Sequence, residues 1–308
     1  MISQRRPWLA ALLSLVAPGL GQLYAGRPNA ALGFALGLQV VGWVVLSLWV
    51  LLPPSQFIVL IGFLILLSAL AAAVANAGVA AYRAGPSYEL RPYNRWYGYL
   101  AAFVLLTLWH RSSAWLAKRN LAEPFRIPSA AMEPTLLVGD FIYVAKLPRS
   151  LLTPQHEAIV VFLSVEDSTP YLHLVKRVIG TSGDTLQMVR DTVYRNGQRL
   201  DEPYTLHLAG DRIHDDEQRL RQIRAWQMAY YLGPDSSHYR PTTRDWGPIV
   251  VPQNHCFVMG DNREQSYDSR YYGFVPFANI LGQPRFLYFS YDPAATAVRW
   301  PRIGRAIL

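Results

Sequence analysis

Between Pro28 and Tyr82 the chain carries no charged residue. Few folds can use such a stretch. Its one break is Pro53-Pro54-Ser55-Gln56, and each apolar run on either side exceeds the ~20 residues that a helix needs to cross a bilayer. The pattern predicts two spans, at about 29–52 and 57–82, and Trp96–His110 begins a third that continues toward Trp115. The first segment, 8–24, is different. Its apolar run ends at Ala17 because Pro18-Gly19 and Gly21 follow. About ten apolar residues are too few to span, so this segment reads as re-entrant or interfacial.

Charge placement supports a membrane module over residues 1–119. That part holds nine Lys/Arg and a single acid, Glu89, which accounts for the whole formal charge of +8. The remaining 189 residues balance to zero. A pI of 9.6 suggests nucleic-acid binding only if the excess lies on a polar surface. Here it flanks apolar spans, as on the cytoplasmic side of a membrane, so no nucleic acid is expected as a partner. If the first segment stays inside, the third span exports everything beyond about residue 115. The N-terminus is not read as a cleaved leader, since Pro18-Gly19-Leu20-Gly21-Gln22 is a poor small-x-small site.

Residues 120–308 predict a mainly-β domain. Short runs rich in β-branched and aromatic residues occur at 141–145, 158–163, 172–179, 185–190, 249–251, 255–259 and 285–291, with turn signals between them. Asn196-Gly197 is a strong hairpin signal. Within 215–232, Leu220, Ile223, Trp226 and Tyr230 recur at helical spacing and predict a helical insertion. Cys256, the single cysteine, lies in an apolar run and reads as core. The seven histidines show no metal-ligand spacing, so neither a metal nor a cofactor is expected.

Four segments then appear in order: Pro128-Ser129-Ala130-Ala131-Met132-Glu133-Pro134-Thr135, His156–Phe162, Lys176-Arg177-Val178-Ile179-Gly180 through Asp184, and Gly260-Asp261-Asn262 through Ser266-Tyr267-Asp268-Ser269-Arg270. Together they resemble the bacterial type I signal peptidases, membrane serine endopeptidases that use a Ser/Lys dyad. The resemblance covers roughly 115–308 and does not include the extra N-terminal spans, which hint at a membrane partner. Behind the multi-pass α-helical membrane module that the apolar runs predict, it implies a mainly-β extracytoplasmic catalytic domain, in the bacterial cytoplasmic membrane. The implied activity is removal of signal peptides from exported preproteins after small residues.

The resemblance also implies roles. The residue before the methionine is the nucleophile, and here that position holds Ala131. Lys176 is the general base, Ser129 an oxyanion donor, and Ser266 a hydrogen-bond partner of Lys176. Arg177–Asp261 and Asp268–Arg270 form bracing ion pairs. Phe125, Ile127 and Pro128 on one side, and Leu172, Leu174 and Val175 on the other, wall the substrate. The residues agree with the chemistry. A lysine acts as a base only when neutral, and apolar neighbours such as Leu174, Val175, Val178 and Ile179 favour that form. His173 lies three residues from Lys176, which puts the two on opposite faces of a strand. In an extended segment Ser129 would share a face with Ala131 but sit ~6–7 Å away, too far to replace it as nucleophile.

Two readings of Ala131 follow. In the first, the chain is a serine endopeptidase whose nucleophile has been exchanged for alanine. In the second, it is a natural pseudopeptidase that binds signal peptides or other membrane-tethered segments without cutting them. A self-cleaving repressor-type protease shares the dyad, but the spans and the lack of a DNA-reading module weigh against it.

Overall fold

A computed structural model describes all residues except 1, 53–54, 86–87, 147–153, 207–215 and 308. The Pro53-Pro54 break and the first residue of the expected insertion, Asp215, lie outside the described residues. The chain divides into two compact units, Met1–Glu123 and Pro124–Leu308.

The first unit is helical apart from a short pair of strands, β1 (Ile2–Ser3) and β2 (Tyr88–Glu89). Its helices are α1 (Pro7–Val16), α2 (Leu20–Tyr24), α3 (Pro28–Leu51), α4 (Gln56–Ala84) and α5 (Trp96–Asn120). Helices α3 and α4 are long and apolar enough to cross a membrane. Helix α1 is ten residues long, about 15 Å at helical rise, and stops where Pro18-Gly19 forces a turn. The third expected span falls on α5, which has the length but not the composition. Its first turn is aromatic and polar, and His110, Arg111, Lys118 and Arg119 interrupt the rest, so it is not among the helices apolar enough to span.

The break between α1 and α2 has a packing reason. A Cβ on Gly21 would lie 2.0 Å from the Ala10 carbonyl and 2.8 Å from the Ala77 methyl, so only glycine lets α1, α2 and α4 meet. The adjoining Gln22 is fully buried and satisfies its amide at both ends. It accepts from Ser14 Oγ (2.9 Å) and donates to the Ala73 carbonyl (2.7 Å). A buried amide without those partners would cost several kcal/mol.

The second unit contains β3 (Ala122–Arg126, which begins just before the division), β4 (Asp140–Ala145), β5 (Ile159–Leu163), β6 (His173–Thr181), β7 (Thr185–Val189), β8 (Thr192–Arg195), β9 (Gln198–Arg199), α6 (Glu217–Gln227), β10 (Trp246–Val250), β11 (His255–Met259), α7 (Ser269–Tyr272), β12 (Val275–Pro276), β13 (Ile280–Asp292) and β14 (Ala297–Val298). The larger sheet runs β12-β11-β6-β5-β13-β4-β3, with β14 on β13. The smaller runs β10-β7-β8-β9, and Asn196-Gly197 turns between β8 and β9. Strand β13 pairs with β5 at its start and with β4 along its length, with register shifts that curl the sheet.

Alternation assigns the cores. On β5, Ile159 and Val161 enter one cluster with Ile127, Met132, Leu136, Ile142 and Leu287, while Val160 and Phe162 enter another with Val178, Val258 and Val275. Strand β5 is therefore buried on both faces, which explains its continuous apolar sequence. A third cluster joins the two sheets around Phe257, which contacts Trp226, Trp246 and Phe274. Helix α6, capped by Asp216, lays Ile223 and Trp226 on that region and ends at Gln227, earlier than the sequence suggested. Cys256 is core, and burial pushes its thiol up to about 12.

Removing the Phe257 ring leaves a cavity among rigid aromatics that cannot collapse into it. Phe257→Ala is expected to destabilise the domain by about 3–5 kcal/mol, read as a lowered thermal midpoint of the purified protein.

Candidate active site

The segment after β3 is anchored in the core on both sides of the expected nucleophile position. The Ile127 N–H donates to the Asp140 carbonyl (2.8 Å), and the Ile127 carbonyl accepts from the Gly139 N–H (3.0 Å). Ile127, Met132 and Leu136 all enter the same cluster. Between them, Ala130–Met132 makes a turn of 3-10 helix, so the spacing of an extended segment does not apply to Ser129 and Ala131. Proline at 128 and 134 and the pull of Met132 into the core favour that tight geometry. Ala131 is 7% exposed, whereas Ser129 is exposed at the N-cap with an extended backbone. The turn packs against β6.

Strand β6 delivers Lys176. It lies in register with Val160 of β5 and is 4% exposed. Burial lowers its pKa to about 8; the Asp268 carboxylate opposes this, Arg270 adds to it, and Asp261 opposes it. About a tenth of such a lysine is neutral at pH 7, against well under a thousandth at the ordinary lysine pKa.

The neighbouring acids are occupied by arginines. Arg177 grips Asp261 with two parallel bonds, Nε to Oδ1 (2.8 Å) and Nη2 to Oδ2 (2.7 Å), and its Nη1 donates to the Glu157 carbonyl (2.8 Å). Thr135 Oγ1 donates to Asp261 Oδ2 at 2.5 Å, tying the 3-10 turn to the same carboxylate. Arg270 binds Asp268 through Nε (2.9 Å) and Nη2 (3.0 Å), and Asp268 also accepts from the Gly260 N–H (3.0 Å). Burial would raise the Asp268 pKa, but the Arg270 guanidinium and its hydrogen bonds hold it below the ordinary value.

The loop from Gly260 to Arg270 closes over the turn. The Asn262 N–H donates to the Ala131 carbonyl (3.2 Å). A Cβ on Gly260 would sit 2.3 Å from Ser266 Oγ and 2.4 Å from the Ala131 carbonyl oxygen, so glycine is needed for these groups to converge. The expected hydrogen bond from Ser266 to Lys176 does not form. Ser266 Oγ is fully buried without a hydrogen-bond partner among the described residues.

The expected substrate walls are only partly available. Ile127 is 3% exposed and belongs to the core. Leu174 and Val175 pack against different clusters, since successive side chains on β6 point to opposite faces. Phe125 remains half-buried, with its ring 5.2 Å from that of His173, while Pro128 and Leu172 are exposed. The backbone offers more. Val178 bonds toward β5 with both its N–H and its C=O, and the Leu172 carbonyl accepts from Ser164 on that same side. Alternation then turns the backbone groups of His173 and Val175 to the opposite edge. There β11 pairs with Arg177–Thr181, so among the described residues the backbone groups of His173 and Val175 on that edge have no strand partner.

Sequence reasoning missed Gly260, Asn262 and Thr135, whose importance lies in contacts across more than a hundred positions. It also missed the buried Glu202–Arg263 pair, in which Arg263 Nε additionally donates to the Gly260 carbonyl (3.2 Å).

Lys176 generates a stability prediction with a definite sign. Its folded pKa lies below its unfolded value, so the native state binds fewer protons between about pH 8 and pH 10.4, and stability rises with pH across that window. Below it, the buried ammonium costs on the order of 3 kcal/mol. Lys176→Met is expected to raise the thermal midpoint at pH 7 and to flatten the rise between pH 8 and 10. By contrast, Arg177→Met strands the Asp261 charge and is expected to lose about 3–5 kcal/mol. Both are read by thermal unfolding over a pH series.

Residues 97–289 match the family described as "Signal peptidase, peptidase S26". Among curated relatives, a signal peptidase I from Bacillus licheniformis is 32% identical over 58% of this chain and 83% of that protein. Signal peptidase I T from Bacillus subtilis is 32% identical over 65% of this chain and 87% of its own length. A signal peptidase I from Pseudomonas aeruginosa is 33% identical over 60% and 71%, respectively. A crystal structure of a signal peptidase I from Enterococcus faecalis covers 42% of this chain at 29% identity, with a TM-score of 0.28. The family match spans well over half of the chain and takes in the 3-10 turn, Lys176 and the Gly260–Arg270 loop; the chain belongs to the S26 family of signal peptidases.

Proposed function

We propose that this protein is a membrane-anchored signal-peptide endopeptidase of Ser/Lys type, inactive as it stands because Ala131 occupies the nucleophile position. The observation that carries the proposal is a buried lysine with a pKa near 8, next to a tight turn and an unpaired strand edge. A structural lysine has no need of such burial, which is costly.

With a serine at position 131, the steps follow from the residues present. Neutral Lys176 takes the hydroxyl proton while the serine oxygen attacks the scissile carbonyl carbon. The backbone N–H at 131 and the Ser129 hydroxyl stabilise the oxyanion. The Lys176 ammonium returns its proton to the leaving amine as the C–N bond breaks. Water, deprotonated by Lys176, then cleaves the ester. Ser266 orients the amine when substrate completes the site, and the Arg177–Asp261 and Asp268–Arg270 pairs hold strand and loop in place. The signal peptide pairs with the free edge at His173 and Val175, against Phe125, Pro128 and Leu172. The helical unit tethers the enzyme to the bacterial cytoplasmic membrane by α3 and α4 and, with α5 as a third crossing, puts the catalytic domain outside. Residues 1–96 lie outside the family match and are free to serve a membrane partner.

Ala131 itself favours a second reading, a pseudopeptidase that binds signal peptides and does not cleave them. Restoring the hydroxyl separates the two. Ala131→Ser in the full-length protein is expected to cleave a preprotein in detergent, with kcat/KM rising through about pH 8. Adding Ser129→Ala to that variant should lower the rate about 10²–10³-fold. A folded Ala131→Ser protein that binds the preprotein but leaves it intact over the whole pH range would sink the peptidase reading.

A further inference from the structure

The helical unit contains a buried cation with no ion pair among the described residues. Arg5 is 6% exposed. Its guanidinium lies 4.5 Å from the ring centre of Tyr24 and 4.4 Å from that of Tyr88. Both rings present their faces to the guanidinium, and its edge is buried with them. Along that edge, Nε and Nη2 have no hydrogen-bond partner among the described residues. The only acid in the first 119 residues, Glu89, is exposed, directed away from the face that Tyr88 occupies, and forms no described ion pair with Arg5.

The cage is built rather than incidental. The Arg6 N–H donates to Tyr24 Oη (3.1 Å), fixing one ring. Tyr88 Oη donates to Asn94 Oδ1 (2.9 Å), fixing the other. Asn94 in turn donates to the Leu23 carbonyl and to Tyr99 Oη, and Tyr93 Oη donates to the Gly26 carbonyl. Two aromatic faces stabilise a guanidinium, but they do not satisfy its in-plane donors. Burying those donors unpaired is expensive.

We propose that the Arg5 edge binds the phosphate of an anionic phospholipid headgroup. A planar fork with two free N–H groups fits a tetrahedral oxyanion that accepts two bonds side by side. The location selects the lipid source. The cage sits where α3 begins at Pro28 and α4 ends at Ala84, at the polar end of the apolar pair. Arg6, Arg27, Arg91 and Arg95 are close by in the chain segments that form it, and they give this end the positive potential that attracts anionic headgroups. This source rests on the membrane placement proposed above.

The test uses the full-length protein in a neutral detergent. Native mass spectrometry and thermal unfolding are followed with added phosphatidylglycerol, phosphatidylcholine or inorganic phosphate. Phosphatidylglycerol is expected to remain bound and to raise the thermal midpoint. Arg5→Lys keeps the charge but loses the fork, and should weaken this binding about tenfold or more. Arg5→Gln should abolish it. Arg95→Gln removes an exposed charge from the same end and should leave it within twofold. Full binding in Arg5→Lys, an equal loss in Arg95→Gln, or no phosphatidylglycerol bound to the unaltered protein overturns the site. Equal midpoint shifts with inorganic phosphate or phosphatidylcholine overturn the lipid assignment. Failure of the membrane placement is recognised separately, as release of the protein from membranes at alkaline pH.

Discussion

Much of the catalytic unit depends on one fork-to-fork contact, Arg177 with Asp261. It joins a central strand to the loop at 260–270, and through Thr135 the same carboxylate also holds the turn at Ala131. All three pieces of the site thus meet at one buried pair. Such pairs give little net stability compared with apolar packing, but breaking one is costly. Their value lies in geometry. A bidentate contact fixes both distance and orientation, so the turn and the strand cannot drift relative to each other.

The lysine gains its chemistry from the same arrangement. Three charged neighbours act on Lys176 in opposite directions, and burial is the largest influence. Because Asp261 and Asp268 are each gripped by an arginine, neither is left free to stabilise the ammonium fully. If either acid lost its arginine, its field would act on Lys176 unopposed and raise its pKa. The second ion pair, Asp268 with Arg270, therefore bears on the protonation of Lys176 as well as supporting the loop.

The legible parts of the sequence were those governed by local pattern. Apolar runs located the strands, and Asn196-Gly197 located a hairpin. Where breakers interrupt a strand, the pattern failed. Strand β13 begins at Ile280, ahead of the expected run at 285–291; its register shifts absorb Gly282, Gln283 and Pro284. The turn at Ala131 had no local signal; core contacts at Ile127 and Met132 shorten the path between them. Charged and polar partners are long-range facts. Only a family resemblance paired Arg177 with Asp261, and nothing in the local sequence pointed to the contacts of Thr135 and Asn262 or to the Arg5 cage. Helix α5 matches the expected third span in length, but its charges keep it below the apolarity of α3 and α4.

The half-open edge of β6 carries a consequence for selectivity. A guest strand laid along His173 and Val175 would adopt the two-residue repeat of any sheet. Neighbouring guest side chains would then face opposite ways, and only every second one would meet a given wall. Size limits imposed there must skip a position along the guest. Sliding the guest by a single residue would exchange its inspected side chains for its uninspected ones, so the backbone ladder converts a one-residue difference in cleavage position into a different set of side chains.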